Sequence, residues 1–293
     1  MCPSPAAVAA TVLIPTHTHG ETLRYSLRTA LYQTVDNIEI FIVGDAVPDI
    51  TRRIAAEFMA ADSRVRFFDF PKGASRGESY RHAVLQEARG AIVCYLFDDD
   101  LWLPDHIAIM QELLATSDFA FSTPVVVRPG GELSVSLVDL ERPLHRRLFT
   151  NPRSGTASVP TCAAHRLAAY RRLPHGWHAT PLGLAPDKYF WAQFLSDKTT
   201  TARSTSRPTA ILFPDPPRRH WPLESRLAEL ERWSAAAADP AWREQFVTKV
   251  AATRSNNVVL WLYAVALQIP IAGPPLIAIA RRIIRGMRRH VKR

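Results

Sequence analysis

The chain has 293 residues, enough for one large domain or two small ones with a substantial core. Hydrophobic residues make up 47% and charged residues 22%, which excludes a disordered chain. The net charge is +9, but residues 281–293 hold seven Arg or Lys and no acid, leaving only about +2 for the rest.

A nearly neutral body offers no basic face for nucleic acid. Cys2, Cys94 and Cys162 are far apart and lack disulfide or metal spacing, so a reducing, cytoplasmic compartment fits best. The first 15 residues have no basic n-region and only a short apolar stretch, so they do not read as a secretory signal.

In chain order, residues 11–15 (TVLIP) read as a short β-branched strand. Thr18-His19-Gly20-Glu21 matches a capping box, followed by Leu23, Leu27, Ala30 and Leu31 at helical spacing. Residues 38–43 (IEIFIV) form a second strand that runs into Gly44-Asp45, and 51–61 a helix. Residues 65–70 form a third strand. Ser75 and Glu78 suggest another capping box, opening a helix through Ala88 that Gly90 stops. Residues 91–97 (AIVCYLF) are a buried strand that ends in Asp98, Asp99 and Asp100. Pro104 starts a further helix with Ile107, Met110 and Leu114 on one face. This alternation calls for a mostly parallel sheet with helices on both faces.

The pattern then changes. Residues 119–127 and 132–137 flank Pro129-Gly130-Gly131 as a hairpin. Residues 140–220 have weak periodicity apart from a helix near 188–196, and 199–208 read as a loop. Leu223, Leu227, Leu230 and Trp233 mark an amphipathic helix, and 241–253 a second one. Residues 258–280 carry no charge, but Pro270, Gly273, Pro274 and Pro275 interrupt them. A bent, interface-lying segment followed by a basic amphipathic helix over 276–293 is expected, docking on anionic lipid.

Ligands of open α/β sheets sit beyond the carboxyl ends of the strands, where Asp45 and the three aspartates fall. Three adjacent carboxylates repel one another unless a cation compensates them; a solvated acidic loop is the competing reading. His17 and His19 have the look of a metal pair, but alternate positions after a strand face opposite ways.

The order of elements and the motif FDDDLWLPDH resemble the family 2 glycosyltransferases of GT-A fold, well over residues 10–120 and loosely over 155–225. The resemblance implies a Rossmann-like GT-A sheet, to which the residue pattern adds a helical C-terminal tail. It implies a nucleotide-sugar-binding subdomain over 1–125 and an acceptor-side subdomain over 126–222, and the helical spacing beyond them marks a helical C-terminal region over 223–293. The resemblance places Asp98 at the ribose of a nucleotide sugar, and Asp99 and Asp100 at a divalent metal, Mn²⁺ or Mg²⁺, with Asp99 also near the donor.

Asp45 would read the base and accept the N3–H of uracil, although Gly44 replaces the usual first acid. Pro15 and Thr16 would line the base, and Arg81 matches a basic position followed here by His82 instead of Asn. Asp187 would be the catalytic base that deprotonates an acceptor hydroxyl, with an N-cap of the following helix as the other reading. Arg218, Arg219 and His220 would close over the diphosphate or the metal.

The function implied is metal-dependent, inverting transfer from a nucleotide-diphosphate sugar, UDP favoured, to a glycan or lipid-linked acceptor. The expected location is cytoplasmic, peripheral on the membrane through the basic tail, with no nucleic-acid partner. Two alternatives stand beside it. One is a nucleotidyltransferase, which normally carries a Gly-rich basic loop where this chain has PTHTHG. The other is a non-catalytic membrane-associated scaffold.

Overall fold

A computed structural model describes residues 7–253 except 137, 152, 153 and 155. The expectations for 258–280 and for the basic tail lie outside these residues.

The β-branched run at the start forms β1 (Ala10–Thr16), and α1 (Leu23–Leu31) buries Leu23, Leu27 and Ala30 against the sheet. Next come β2 (Ile38–Asp45), α2 (Asp49–Ala61), β3 (Val65–Phe70) and α3 (Glu78–Leu85). They are followed by β4 (Ile92–Tyr95), the two-residue β5 (Leu101–Trp102) and α4 (His106–Leu114). β2 is buried at every position, as expected for a strand covered on both faces.

Neither capping box forms. α1 starts one turn later than the box requires, at Thr22, whose hydroxyl bonds back to the His19 carbonyl. α3 is entered through Gly77 in the left-handed conformation at φ 71°, and Glu78 accepts the Arg76 amide at 2.6 Å. A Cβ at residue 77 would lie 3.3 Å from the Asp45 Cβ, so glycine also lets α3 approach the end of β2.

The 119–127 stretch is two strands, because Thr123-Pro124 cannot continue the ladder. β6 (Phe119–Ser122) stays in the first sheet, and β7 (Val125–Val127) leaves it to pair with β8 (Leu133–Val135) across the expected turn. Further along lie α5 (Pro143–Thr150), β9 (Ala163–Arg166), α6 (Leu167–Tyr170), α7 (Pro186–Leu195) and β10 (Ala202–Thr205). β11 (Ala210–Leu212) and α8 (Leu223–Ala238) follow, and residues 240–253 are helical. β10 corrects the loop reading of 199–208: a Thr- and Ser-rich segment serves as an edge strand because only one side need be covered.

The main sheet has the order β10-β6-β9-β4-β1-β2-β3. β3, β2, β1 and β4 are mutually parallel, β9 is antiparallel to both neighbours, and β10 is parallel to β6. A second sheet, β5-β11-β7-β8, packs with Leu230, Phe246 and Val250 from the C-terminal helices. Cys94 and Cys162 are both buried and unpaired. No helix among the described residues is long and apolar enough to cross a membrane.

Register at β4 depends on Gly90. A Cβ there would come within 2.2 Å of the Thr11 backbone nitrogen. Gly90→Ala must therefore push β4 off β1, at a cost of about 1–3 kcal/mol or more. Chemical denaturation should show that loss; an unchanged midpoint would contradict the packing described.

Candidate active site

The carboxyl ends of β1, β2 and β4, the start of α3 and the start of α7 open onto one cavity of about 760 Å³. Pro15, Thr16, Asp45, Arg81, Asp98, Asp99, Asp100 and Asp187 all line it, although they span 173 positions of sequence. Topology brings them together: each lies at or just after a strand end or in the first turn of a helix.

At the β2 end, the Asp45 carboxylate accepts the Gly73 amide at 2.7 Å and the Lys72 ammonium at 2.5 Å. Burial raises this carboxyl, but those two donors more than offset it and hold it below its ordinary range. Each oxygen keeps a second lone pair for a ligand donor. Nearby, the Thr16 hydroxyl and Arg81 Nε are buried with no partner among the described residues. The Arg81 guanidinium lies 4.8 Å over the Trp177 ring and donates to the Arg76 carbonyl at 2.9 Å. Both residues line the cavity, and buried polar atoms without partners call for an explanation, of which a bound ligand, ion or water is one.

The triple aspartate is divided differently from the expectation. Asp100 is 4% exposed, and both its oxygens are engaged, one by the Thr161 hydroxyl at 2.5 Å and one by the Phe213 amide at 2.9 Å. It ties β4 to the second sheet. Among the described residues, a group able to hold a cation is His19, Asp98 and Asp99, whose ligand atoms lie within 4.8 Å of one another. His19 Nδ1 is 3.2 Å from Asp98 and 3.9 Å from Asp99.

Burial pushes Asp99 well above the usual carboxylate range, and Asp100 and Asp98 push it further. Burial likewise raises Asp100 to about 7, against the Thr161 and Phe213 donors. The Asp98 hydrogen bond raises His19 to about 9. Carboxylates crowded this closely, with one imidazole among them and a single guanidinium against Asp99, suit a hard divalent ion such as Mn²⁺ or Mg²⁺. The residues therefore fit the metal that the fold family uses, with His19 in place of Asp100.

Asp187 is the second residue of α7, after Ala185 as N-cap and Pro186, so it does not cap the helix. It lines the cavity and accepts no hydrogen bond among the described residues. Burial raises its carboxyl to about 6, with Arg81 and Arg76 pulling it down and Glu78 pushing it up. An acid tuned toward neutrality beside a cleft suits proton transfer.

The three basic-loop residues do not reach this cavity. Arg218 is 1% exposed and forks onto Glu229 at 2.6 and 2.8 Å, with a further bond to the Val127 carbonyl at 3.0 Å. Its charge is spent inside the fold. Arg219 is exposed and lines a neighbouring cavity of about 230 Å³, and His220 is exposed and lines neither. Arg218→Met strands a buried Glu229 and should lower stability by about 3–5 kcal/mol, with much of it regained on adding Glu229→Leu. Urea unfolding of the pair would check this; an unaffected single variant with weaker donor binding would restore the diphosphate role.

The sequence reading missed Lys72, Arg76, Asp215 and Arg226. Arg226 of α8 donates to Asp99 at 3.1 Å and to Asp215 at 2.9 Å. Lys72 and Arg76 line the cavity at its Asp45 end. A flanking basic pair at positions 72 and 76, just before a helix starting at the cleft, was the one available signal.

Four parallel strands with this acid cluster at the end of β4 define a GT-A glycosyltransferase fold. Solved structures agree. Residues 1–349 of S. aureus TarS, in complex with UDP-GlcNAc, superpose with a TM-score of 0.56 at 16% identity, covering 86% of this chain and 75% of that one. The mannosyltransferase PcManGT from Pyrobaculum calidifontis, in complex with GDP-Man and Mn²⁺, gives a TM-score of 0.52 at 17% identity, covering 94% and 79%.

The model of glycosyl transferase family 2 matches residues 11–174, more than half of the sequence, and the chain belongs to that family. Among characterised relatives, the Escherichia coli enzyme UDP-Glc:alpha-D-GlcNAc-diphosphoundecaprenol beta-1,3-glucosyltransferase WfgD is 26% identical over 112 residues, 38% of this chain and 42% of that protein. The putative glycosyltransferase EpsH of Bacillus subtilis is 32% identical over 114 residues, 39% of this chain and 31% of that one. The chain thus spans less than half the length of these curated relatives.

Proposed function

We propose that this protein transfers a sugar, with inversion, from a UDP-sugar to a hydroxyl of a glycan or lipid-linked acceptor, and that it does so with a divalent metal. The observation that carries the reading is the shared cavity: a carboxyl raised to about 6 faces the same space as a cation-ready acid cluster.

Asp187 would take the proton from the acceptor hydroxyl. That oxygen then bonds to the anomeric carbon from the face opposite the diphosphate, and the bond to the diphosphate breaks with its electron pair on the leaving oxygen. A divalent ion held by Asp98, Asp99 and His19 would neutralise the charge on that leaving group. Asp45 with Lys72, and Thr16 with Pro15, would hold the base, while Asp98 also stands near the ribose. Arg81 and Arg76 would keep Asp187 ionised against its burial.

The division into a nucleotide side over 1–125, an acceptor side over 126–222 and a helical C-terminal region over 223–293 belongs to this reading. So does a peripheral place on the cytoplasmic face of a membrane, supported by the basic residues of 281–293 and by the lipid-linked acceptor in the E. coli relative's name. Sedimentation with anionic vesicles should carry the full chain down and leave a chain lacking 256–293 in solution; equal behaviour would end the membrane role.

The chemistry is tested by following UDP release from a panel of UDP-sugars with Mn²⁺ and with chelator. Metal-dependent release from at least one donor is expected. Release that ignores chelation would overturn the metal part, and a preference for GDP-sugars would overturn the base assignment.

A further inference from the structure

The acid cluster already contains a protein cation. Arg226, in the first turn of α8, reaches across 127 positions of sequence to bond Asp99 Oδ2 at 3.1 Å, while its other terminal nitrogen holds Asp215 at 2.9 Å. Its side chain is only 12% exposed. Asp99 Oδ2 is also the oxygen that lies 3.9 Å from His19 Nδ1, and His19 in turn bonds Asp98. The guanidinium therefore occupies an oxygen of the same carboxylate that belongs to the cation set.

A dication and a guanidinium sharing one carboxylate repel each other strongly at low exposure. α8 itself does not depend on this contact. Glu229 is bound to Arg218, Leu230 is buried, and Trp233 packs edge-on against Phe213 at 6.1 Å. The Arg226 side chain can thus change partners while the helix stays in place. Its planar fork matches phosphate oxygens as well as it matches carboxylates.

We propose that Arg226 is a built-in counter-ion that competes with the divalent metal for Asp99, and that it passes to the donor's diphosphate when the metal is loaded. The proposal rests on the metal site described under Proposed function. In that arrangement metal alone binds weakly, because it must displace the guanidinium. A diphosphate gives the displaced guanidinium a new partner, so metal and nucleotide favour each other's binding, reciprocally.

The test measures Mn²⁺ binding to the full chain by calorimetry and by the paramagnetic signal of free Mn²⁺, with and without UDP. Wild type should bind Mn²⁺ weakly alone and more tightly with UDP. Arg226→Gln and Arg226→Met should bind Mn²⁺ alone about tenfold more tightly, within the usual span of coupling effects, and gain less from UDP. Arg226→Lys, which keeps the charge, should stay near wild type.

If the neutral variants bind Mn²⁺ no better while wild type binds it with UDP, the competition is wrong and the metal site stands. If Arg226→Lys tightens binding as much as Arg226→Met, the effect is not one of charge and the proposal fails. If wild type binds no Mn²⁺ even with UDP, the metal site and the proposal fall together. Melting temperatures of the three variants confirm that binding is read on folded protein, and any one neutral variant that folds suffices.

Discussion

Asp187→Asn is expected to lower the rate of sugar transfer by about 10²–10⁴-fold, the usual contribution of a positioned base. UDP binding should be unchanged, because Asn keeps the shape and the first turn of α7. The variant should also be no less stable than wild type at neutral pH. Burial raises the Asp187 carboxyl from 3.8 to about 6, so the folded state holds a proton that the unfolded chain has already released. Stability from this group is therefore lost as pH rises from about 4 to 6, and the amide removes that loss.

The same shift sets the pH profile: wild-type turnover should fall about tenfold per unit below pH 6, as the base is protonated. Steady-state kinetics and a melting curve test both halves. A variant that keeps more than a tenth of the wild-type rate would mean that another group takes the proton.

Asp99→Asn should have the second large effect, and again function and stability move in opposite directions. Loss of a direct ligand should weaken Mn²⁺-supported UDP binding by more than the roughly 10–100-fold that outer partners of a metal typically cost. Meanwhile burial and the neighbouring Asp100 and Asp98 hold Asp99 well above its ordinary 3.8. Its charged form burdens the metal-free fold at neutral pH, and the metal-free variant should melt no lower than wild type. Asp100→Asn should do the reverse: it weakens the ties to Thr161 and Phe213 while leaving the His19, Asp98 and Asp99 donors in place. A metal titration that ranks Asp100 above Asp99 would contradict the assignment.

The first 115 residues were legible because their strands are mostly apolar, β-branched or aromatic runs and their helices repeat at 3.6. Ile38–Asp45 and Ala10–Thr16 can hardly be anything but central strands. β9 was not legible: Ala163-Ala164-His165-Arg166 is four residues long, and its buried His is satisfied by Tyr95 of another strand at 2.7 Å and by the Arg166 carbonyl at 3.0 Å. β10 was hidden for the opposite reason, since an edge strand tolerates the Ser and Thr of a loop.

Within the site, Asp45, Asp98, Asp99 and Asp187 could be placed at the cleft because each sits where a strand ends or a helix begins. His19 was set aside by the alternation rule, which holds only inside a strand, and β1 ends at Thr16. The two histidines do part company, His17 to the Asp45 carbonyl and His19 to Asp98, but one imidazole is enough when the acids come from another strand.

Arg218 is buried away from the cavity, and Arg226, which the sequence did not single out, reaches the acid cluster instead. A basic loop suggests phosphate, yet the sequence cannot reveal that Glu229 folds back onto Arg218. Nor can the amphipathic pattern of α8 reveal that its polar face meets an acid cluster 127 residues away.

The central claim is that one cleft binds a uridine nucleotide through a divalent ion held by this chain's acids. Calorimetry of UDP with the full chain, with Mn²⁺ and then with chelator, tests it most directly. The account predicts binding that weakens markedly on chelation in wild type and that Asp99→Asn reduces to the chelated level. Equal affinity in the two conditions, or none in either, would contradict it.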